Sequence, residues 1–135
     1  MAHHLADLAR SEAAAAAGDD EELWLSHYTP DAVFRYPGRN PLAGEYRGYE
    51  GLRRWRRTRT EVAAMAHLSA ELHDALGSDE HGVQLYTVTA EKDGRSVAWR
   101  GAVVCHTRDG KISDAWVVLD PQSVVDEFLT WAADS

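Results

Sequence analysis

Two tyrosines and one histidine are the residues of this sequence whose types and spacing point to acid–base chemistry: Tyr36, Tyr86 and His73. A tyrosine in an apolar cavity keeps its proton at neutral pH, because burial disfavours the charged phenolate. It can then donate a hydrogen bond to a carbonyl, an epoxide oxygen or a developing enolate. A neutral histidine nearby could accept or return a proton near pH 7. Together they would suit cyclisation, isomerisation or epoxide opening.

Each of these residues also has a purely structural interpretation. A buried tyrosine commonly packs in a core while its hydroxyl reaches a single partner. The placement of His73 depends on the turn before Val83. A turn of even length puts His73 on the same face as Tyr86, whereas an odd length puts Asp74 there.

The positions of these side chains follow from a predicted hairpin. Asp93-Gly94 between two alternating apolar runs is a strong signal for a two-residue β-turn. It pairs Lys92 with Arg95 and, further along, Tyr86 with Gly101. Continuing this register gives one sheet face, expected to be the inner one, with the following residues: His73, Gln84, Tyr86, Val88, Trp99, Gly101, Val103 and Cys105.

Helix patterns dominate the first half of the chain, and two-residue periodicity dominates the second. Helices are predicted over Leu5–Ala17, 19–28, 48–65 and from Pro121 onward. Strands are predicted over 32–36, 72–76, 83–91, 97–107 and 112–119. Helices followed by an antiparallel meander indicate an α+β fold in which the sheet curls around the helices and leaves a pocket.

Length, charge and cysteine content narrow the function class. The 135 residues suit one domain spanning 1–135, and a net charge of -8 argues against a general nucleic-acid binder. A single cysteine, Cys105, precludes an internal disulfide and thiolate zinc clusters. With no apolar run of membrane-spanning length and no signal-peptide pattern, we expect a cytoplasmic protein.

Five arginines crowd into the seven residues from Arg53 to Arg59. Such a run is typical of a solvated helix face, but it could also meet an anionic ligand or partner. Arg59 lies one turn beyond Trp55 and could reach the mouth of the pocket, or form an ion pair with surface acids. The chain also holds five tryptophans, which suit a flat, unsaturated ligand.

Several segments together resemble the SnoaL-like family of polyketide cyclases. They are Gly18-Asp19, the run from Tyr28 to Phe34, the run from Tyr36 to Gly44, and Arg108 to Ile112 followed by Trp116. This family belongs to the nuclear transport factor 2-like superfamily, together with ketosteroid isomerase and limonene epoxide hydrolase. The resemblance covers nearly the whole chain, and it implies a cone-shaped, cystatin-like α+β barrel with a deep apolar pocket. It also implies no metal or other cofactor.

The resemblance implies a homodimer through the outer face of the sheet, where Trp116 and His106 are expected. The catalytic residues known in these relatives are largely absent from the matching positions of this sequence. The histidine and aspartate of the polyketide cyclases align with Val103 and Val117, and the ketosteroid isomerase base aligns with Tyr36, before Pro37. The oxyanion-hole tyrosine of that isomerase falls near Ser11.

The leading hypothesis is a cofactor-independent cyclase, isomerase or epoxide-opening enzyme that acts on an apolar polyketide- or terpenoid-like intermediate. Tyr36, Tyr86 and His73 would be catalytic. Ligand contacts are expected from the following residues: Trp24, Phe34, Trp55, Arg59, Gln84, Val88, Trp99, Val103, Val117 and Leu119. The alternatives are a non-catalytic small-molecule-binding protein and a dimeric assembly module.

Overall fold

Four helices pack against one six-stranded sheet in the computed structural model, which describes residues 3–134. The elements in chain order are α1 (His3–Ala17), α2 (Glu21–Leu25), β1 (Tyr28–Tyr36), β2 (Gly44–Arg47), α3 (Gly48–Ala66), β3 (Ser69–Gly77), β4 (His81–Lys92), β5 (Arg95–Arg108), β6 (Lys111–Asp120) and α4 (Gln122–Asp134). The predicted α+β class is confirmed.

The strand order is β2-β1-β6-β5-β4-β3. The predicted antiparallel meander is present from β3 to β6, whereas β1 pairs with β6 in parallel and with β2 antiparallel. β2 was not predicted, because its four residues lack a clear alternation. Since β2 and β3 are free edges, the curved sheet is open and does not close into the barrel that the resemblance implies.

The second helix is shorter than its sequence pattern predicts. The Asp20 carboxylate caps it by accepting a hydrogen bond from the backbone N–H of Leu23 at 3.0 Å. It ends at Leu25, and Tyr28 already belongs to β1. The backbone carbonyl of His27 accepts a hydrogen bond of 2.8 Å from Ile112. Tertiary strand pairing therefore ends the helix earlier than its local preference would.

The register of the central hairpin agrees with its prediction. Lys92 pairs with Arg95, Val88 with Trp99, Tyr86 with Gly101 and Gln84 with Val103. The two turn residues Asp93 and Gly94 both have positive φ angles, of 51° and 81°. That conformation matches the type I′ turn favoured by an Asp-Gly pair.

The expected position of His73 requires a correction. The turn preserves the predicted pairing of Ala75 with Gln84, but the register shifts between Leu72 and Asp74, so that Leu72 pairs with Tyr86. His73 occupies the extra position of this β-bulge. Its exposed imidazole contacts the hydroxyl of Thr87, on the outer face of the sheet. Bulges redirect side chains in this way, and strand periodicity does not reveal them.

The core lies between the inner face of the sheet and the helices. On α3, Leu52, Val62 and Ala66 are buried at helical spacing, and on α4 Phe128 and Leu129 are buried. Such stripes let a helix bury one side against a sheet. None of the helices within residues 3–134 is long and apolar enough to span a membrane.

Candidate ligand site on the inner face of the sheet

Solvent reaches several side chains between the sheet and α3. Tyr36, Tyr86 and Val103 are half-buried on their strands, and Trp55 and Arg59 are half-buried on α3. Tyr36, Trp55 and Val103 pack against the buried apolar core, and Tyr86 and Arg59 lie beside it. Positions that face the interior yet remain partly exposed mark an opening in that core, and this opening is the candidate site.

Tyr36 is the polar residue that β1 contributes to the opening. It follows the buried inner-face residues Ala32 and Phe34 by two-residue alternation, and its ring lies 6.2 Å from the Trp55 ring between centroids. Burial raises the pKa of Tyr36 to about 12, against a smaller lowering effect of Arg59. Its hydroxyl forms no hydrogen bond with any described residue. Tyr36 is therefore a protonated donor without an acceptor.

Tyr86 differs from Tyr36, because its hydroxyl hydrogen already forms a hydrogen bond within the protein. Its hydroxyl donates to Gln84 Oε1 at 3.0 Å. Burial raises the pKa of Tyr86, and the charge of Glu12 raises it further. The phenol is thus protonated and directed into the wall of the site. It offers a lone pair to the opening, and it could donate to a ligand only by breaking its bond to Gln84.

A buried carboxylate that the sequence analysis did not single out organises that wall. Glu12 Oε2 accepts hydrogen bonds from Trp24 Nε1 at 2.8 Å and from the Tyr28 hydroxyl at 2.5 Å. Glu12 Oε1 accepts from Gln84 Nε2 at 2.7 Å, and the same nitrogen lies 2.8 Å from the carbonyl of Ala9. These bonds fix the Gln84 amide with its oxygen toward Tyr86.

The sequence does contain a signal for Glu12. Leu5, Ala9, Glu12 and Ala16 recur at spacings of four, three and four along α1, which is the pattern of a buried helix face. Only Glu12 breaks the apolar character of that stripe. A buried carboxylate needs hydrogen-bond donors, and here they come from residues distant in sequence.

The aromatic residues expected to line the site divide into two groups. Trp24, Phe34 and Trp99 are almost fully buried in the core, with exposed fractions of 1%, 4% and 3%. Trp55 is half-buried and contacts Phe34, with 4.6 Å between ring centroids. Buried Nε1 atoms of Trp55 and Trp99 lack hydrogen-bond partners among the described residues. Two indole N–H groups are therefore buried without an acceptor among the described residues.

The apolar ligand contacts predicted on β5 and β6 form one patch. Val103 pairs directly with Val117, and Gly101 with Leu119. Leu119 occupies the space beside Gly101, since a Cβ atom added at Gly101 would lie 3.2 Å from Leu119 Cδ2. Val103 is half-buried and lies diagonally across from Tyr86 on the inner face.

Comparisons with known proteins agree with this architecture. The SnoaL-like domain family matches residues 9–115. The chain belongs to this family. A search of curated proteins found no match.

Solved structures with the same fold include Bal32a, from a soil-derived mobile gene cassette, with a TM-score of 0.82 and 22% identity over 95% of this chain and 98% of that one. A nuclear transport factor 2-like protein from Burkholderia xenovorans LB400 superposes with a TM-score of 0.78 and 16% identity over 96% and 98%. TerC, co-crystallised with polyporic acid, superposes with a TM-score of 0.76 and 18% identity over 95% and 98%. These likenesses confirm the predicted superfamily fold.

Other polar residues of this SnoaL-like domain lie away from the opening. His73 is on the outer face, and the exposed Asp74 forms an ion pair of 3.2 Å with Arg10. Ser11, which aligns near an oxyanion-hole tyrosine, is exposed and lies 2.8 Å from His27 Nε2. Within residues 3–134, no three histidine, cysteine, aspartate or glutamate side chains are grouped to hold a metal ion.

Two surface depressions of the SnoaL-like domain are separate from the candidate site. One, of about 460 Å³, lies near the β4–β5 hairpin beside His67. The other, of about 320 Å³, lies between α2 and α3 and is lined by Glu21 and by Arg53, Arg56, Arg57 and Thr60. Neither depression is lined by Tyr36, Tyr86 or Arg59. The candidate site is therefore defined by the partly exposed residues between the sheet and α3.

Proposed function

We propose that this SnoaL-like domain binds a flat, apolar, oxygen-bearing small molecule between the inner face of its sheet and α3. The observation that carries the proposal is the Tyr36 hydroxyl, a protonated donor with no acceptor among the described residues, beside the half-buried Trp55 ring. A polar group in an apolar wall is costly unless it is hydrogen-bonded. A ligand oxygen would satisfy it, while the ligand ring would pack on Trp55.

The immediate surroundings support an unsaturated ligand. Val88 and Val103 provide apolar contact from the sheet, and the buried Nε1 atom of Trp55 is a further unused donor. Ligand sites commonly combine apolar and aromatic walls with a few fixed polar groups. The co-crystallisation of TerC with polyporic acid supports the same ligand class for this chain.

Xanthone, a neutral tricyclic ketone, is a suitable probe for this proposal. Its affinity for the wild-type chain and for Tyr36→Phe would be measured by isothermal titration calorimetry. Loss of one hydrogen bond should weaken binding by about 3- to 10-fold. Tyr49→Phe is the matched control, because the Tyr49 hydroxyl already donates to the Tyr28 carbonyl at 3.2 Å. Equal affinity of wild type and Tyr36→Phe, or no xanthone binding at all, would contradict the proposal.

Catalysis of the cyclase or isomerase type is the second candidate, and the Tyr36 hydroxyl, which has no acceptor among the described residues, favours it. A phenol that stays protonated can hydrogen-bond a carbonyl oxygen and stabilise the enolate that forms when a neighbouring C–H is deprotonated. With His73 on the outer face and valines at 103 and 117, the proton would pass to solvent water in the opening. Tyr36 would then act by stabilising charge, without an imidazole base.

Deuterium exchange distinguishes this candidate from binding alone. The α-protons of 2-tetralone would be followed by NMR in D₂O with wild type and with Tyr36→Phe. Catalysis predicts faster exchange with wild type than in buffer, and a loss of at least about 10-fold on removing the hydroxyl. Exchange at the buffer rate, combined with measurable xanthone binding, would leave a non-catalytic binding protein.

We also propose that two copies pair through the outer face of the sheet. That face presents Val104 opposite Trp116, and Val118 with an exposed fraction of 53%. His106 lies beside Trp116 at 5.3 Å between ring centroids. An apolar patch of this kind is typical of a protein interface.

A further inference from the structure

Arg59 is a cation on an otherwise apolar stripe of α3. It follows Trp55 by four residues and precedes Val62 by three, so all three share the side of α3 that faces the sheet. Leu52, Val62 and Ala66 on that side are buried, and Arg59 is half-buried. A charged residue at such a position is rare unless it has a partner.

The described residues supply no such partner. Other arginines form ion pairs, as Arg35 does with Asp114 at 2.7 Å and Arg53 with Glu22 at 3.0 Å. Arg56 donates instead to backbone carbonyls of Ala16 and Gly18. Within residues 3–134, Arg59 has no hydrogen bond, ion pair or stacked aromatic ring. Its positive charge is therefore available to something outside the chain.

Two carboxylates near the candidate site accept hydrogen bonds from groups other than Arg59. Glu12 accepts from three side chains, as described above. Asp126, whose charge acts on Tyr36, accepts from Asn40 at 2.8 Å, from Gln122 at 3.0 Å and from the backbone of Arg39 at 3.0 Å. All three bonds to Asp126 end on Oδ1, and among the described residues neither Glu12 nor Asp126 forms an ion pair with Arg59.

Arg59 and two unused donors lie around the same space. The guanidinium is close enough to Tyr36 and Tyr86 to oppose the rise in the pKa of both phenols. Within residues 3–134, the Tyr36 hydroxyl has no acceptor, and the buried indole N–H of Trp55 has none either. A cation and two neutral donors without acceptors suit an oxygen that carries negative charge and several lone pairs.

We propose that Arg59 selects a ligand with an anionic oxygen, carried as a carboxylate or an ionised enol or phenol on a flat apolar skeleton. This inference rests on the proposed binding site and specifies its substrate class. The ligand skeleton stacks near Trp55, its charged oxygen meets Arg59, and the hydroxyl of Tyr36 supplies a neutral hydrogen bond.

The test compares two isosteric probes, anthracene-2-carboxylate and anthracene-2-carboxamide, by isothermal titration calorimetry at pH 8. Wild type should bind the carboxylate at least about 10-fold more tightly, as expected for a charge-assisted hydrogen bond. Arg59→Met should abolish this preference, and Arg59→Lys should retain part of it. Arg57→Met is the matched control, because Arg57 is an exposed arginine of the same helix and its loss changes the net charge equally.

The outcomes separate the two proposals. Equal binding of both probes by wild type would overturn the role of Arg59 and leave the binding site intact. An unchanged carboxylate preference in Arg59→Met, or its equal loss in Arg57→Met, would also overturn that role. If neither probe nor xanthone binds wild type, the proposed function itself fails.

Discussion

Val103 and Val117 lie directly opposite each other on β5 and β6, with both side chains on the inner face. Directly opposed residues of antiparallel strands have Cβ atoms about 4.5–5.5 Å apart. The family resemblance places the histidine and aspartate of polyketide cyclases at these two positions. The geometry for that acid–base pair is therefore preserved here, but it carries an apolar contact. Any chemistry in this chain must come from other residues.

Filling the opening at Val103 should block ligand binding. In Val103→Phe, the added ring would occupy space beside Tyr86, so we expect xanthone affinity to fall by at least about 10-fold, or about 1.4 kcal/mol. Val104→Phe is the control, since the neighbouring side chain points to the outer face. Isothermal titration calorimetry measures both. Comparable affinities of the two variants would place the ligand elsewhere.

Replacing Glu12 should destabilise the fold. In Glu12→Gln, an amide –NH₂ would oppose donors from Trp24, Tyr28 or Gln84, which now share the two carboxylate oxygens. The expected loss in the free energy of unfolding is about 1–3 kcal/mol. Urea denaturation followed by tryptophan fluorescence gives this quantity. Asp7→Asn, an exposed change on the same helix, should leave the midpoint nearly unaltered.

Stability should fall as the pH rises through the alkaline range. Burial raises the pKa of Cys105 from 9.0 to about 11 and that of Tyr36 from 10.0 to about 12. Above its ordinary pKa each group ionises in the unfolded chain while it still holds its proton in the folded chain. The stability contribution is therefore fully present below pH 9 and is lost progressively between about pH 9 and 12.

Urea midpoints measured between pH 8 and 11 would test this expectation. Tyr36→Phe removes one of the raised groups and should flatten the decline above pH 10. A second readout is the reaction of Cys105 with 5,5′-dithiobis(2-nitrobenzoate) at pH 8. The buried thiol should react slowly when folded and rapidly in urea. A slope that Tyr36→Phe leaves unchanged would show that Tyr36 ionises alike in both states.

A charge at Val118 should separate the proposed dimer. Val118 is exposed on the outer face in the single chain, so Val118→Lys would bury an unpaired ammonium in a dimer interface. Sedimentation velocity should show a shift from dimer to monomer. Leu23→Lys is the control, because Leu23 is equally exposed, at 54%, but lies on α2. A monomeric wild type would rule out pairing by this face.

Sequence reasoning succeeded where local patterns decide the structure. The Asp93-Gly94 turn determined the register of β4 and β5, and two-residue alternation then assigned Tyr86 and Val103 to one face. Each step depends on backbone geometry within a few residues. The order of such elements predicted the α+β class, and the resemblance to the SnoaL-like family implied the specific fold.

The candidate site was predicted less completely, because long-range contacts shape it. The bulge that turns His73 outward arises from pairing between β3 and β4, and no residue type near it indicates this change of register. Tyr86 was predicted on the correct face. Its hydrogen bond to Gln84, however, depends on Glu12, which holds the Gln84 amide and is 72 residues away from Gln84 in sequence.

What the sequence determined by itself is every element except β2, together with the central register; the family resemblance added that Val103 and Val117 replace an acid–base pair. These depend on periodicity, turn chemistry and residue identity. Only the tertiary structure decided which polar groups remain free. Within residues 3–134, Tyr36 and Arg59 have no hydrogen-bond or ion-pair partner while Tyr86 and Glu12 have them, because such bonds are made between residues that the folded chain brings together.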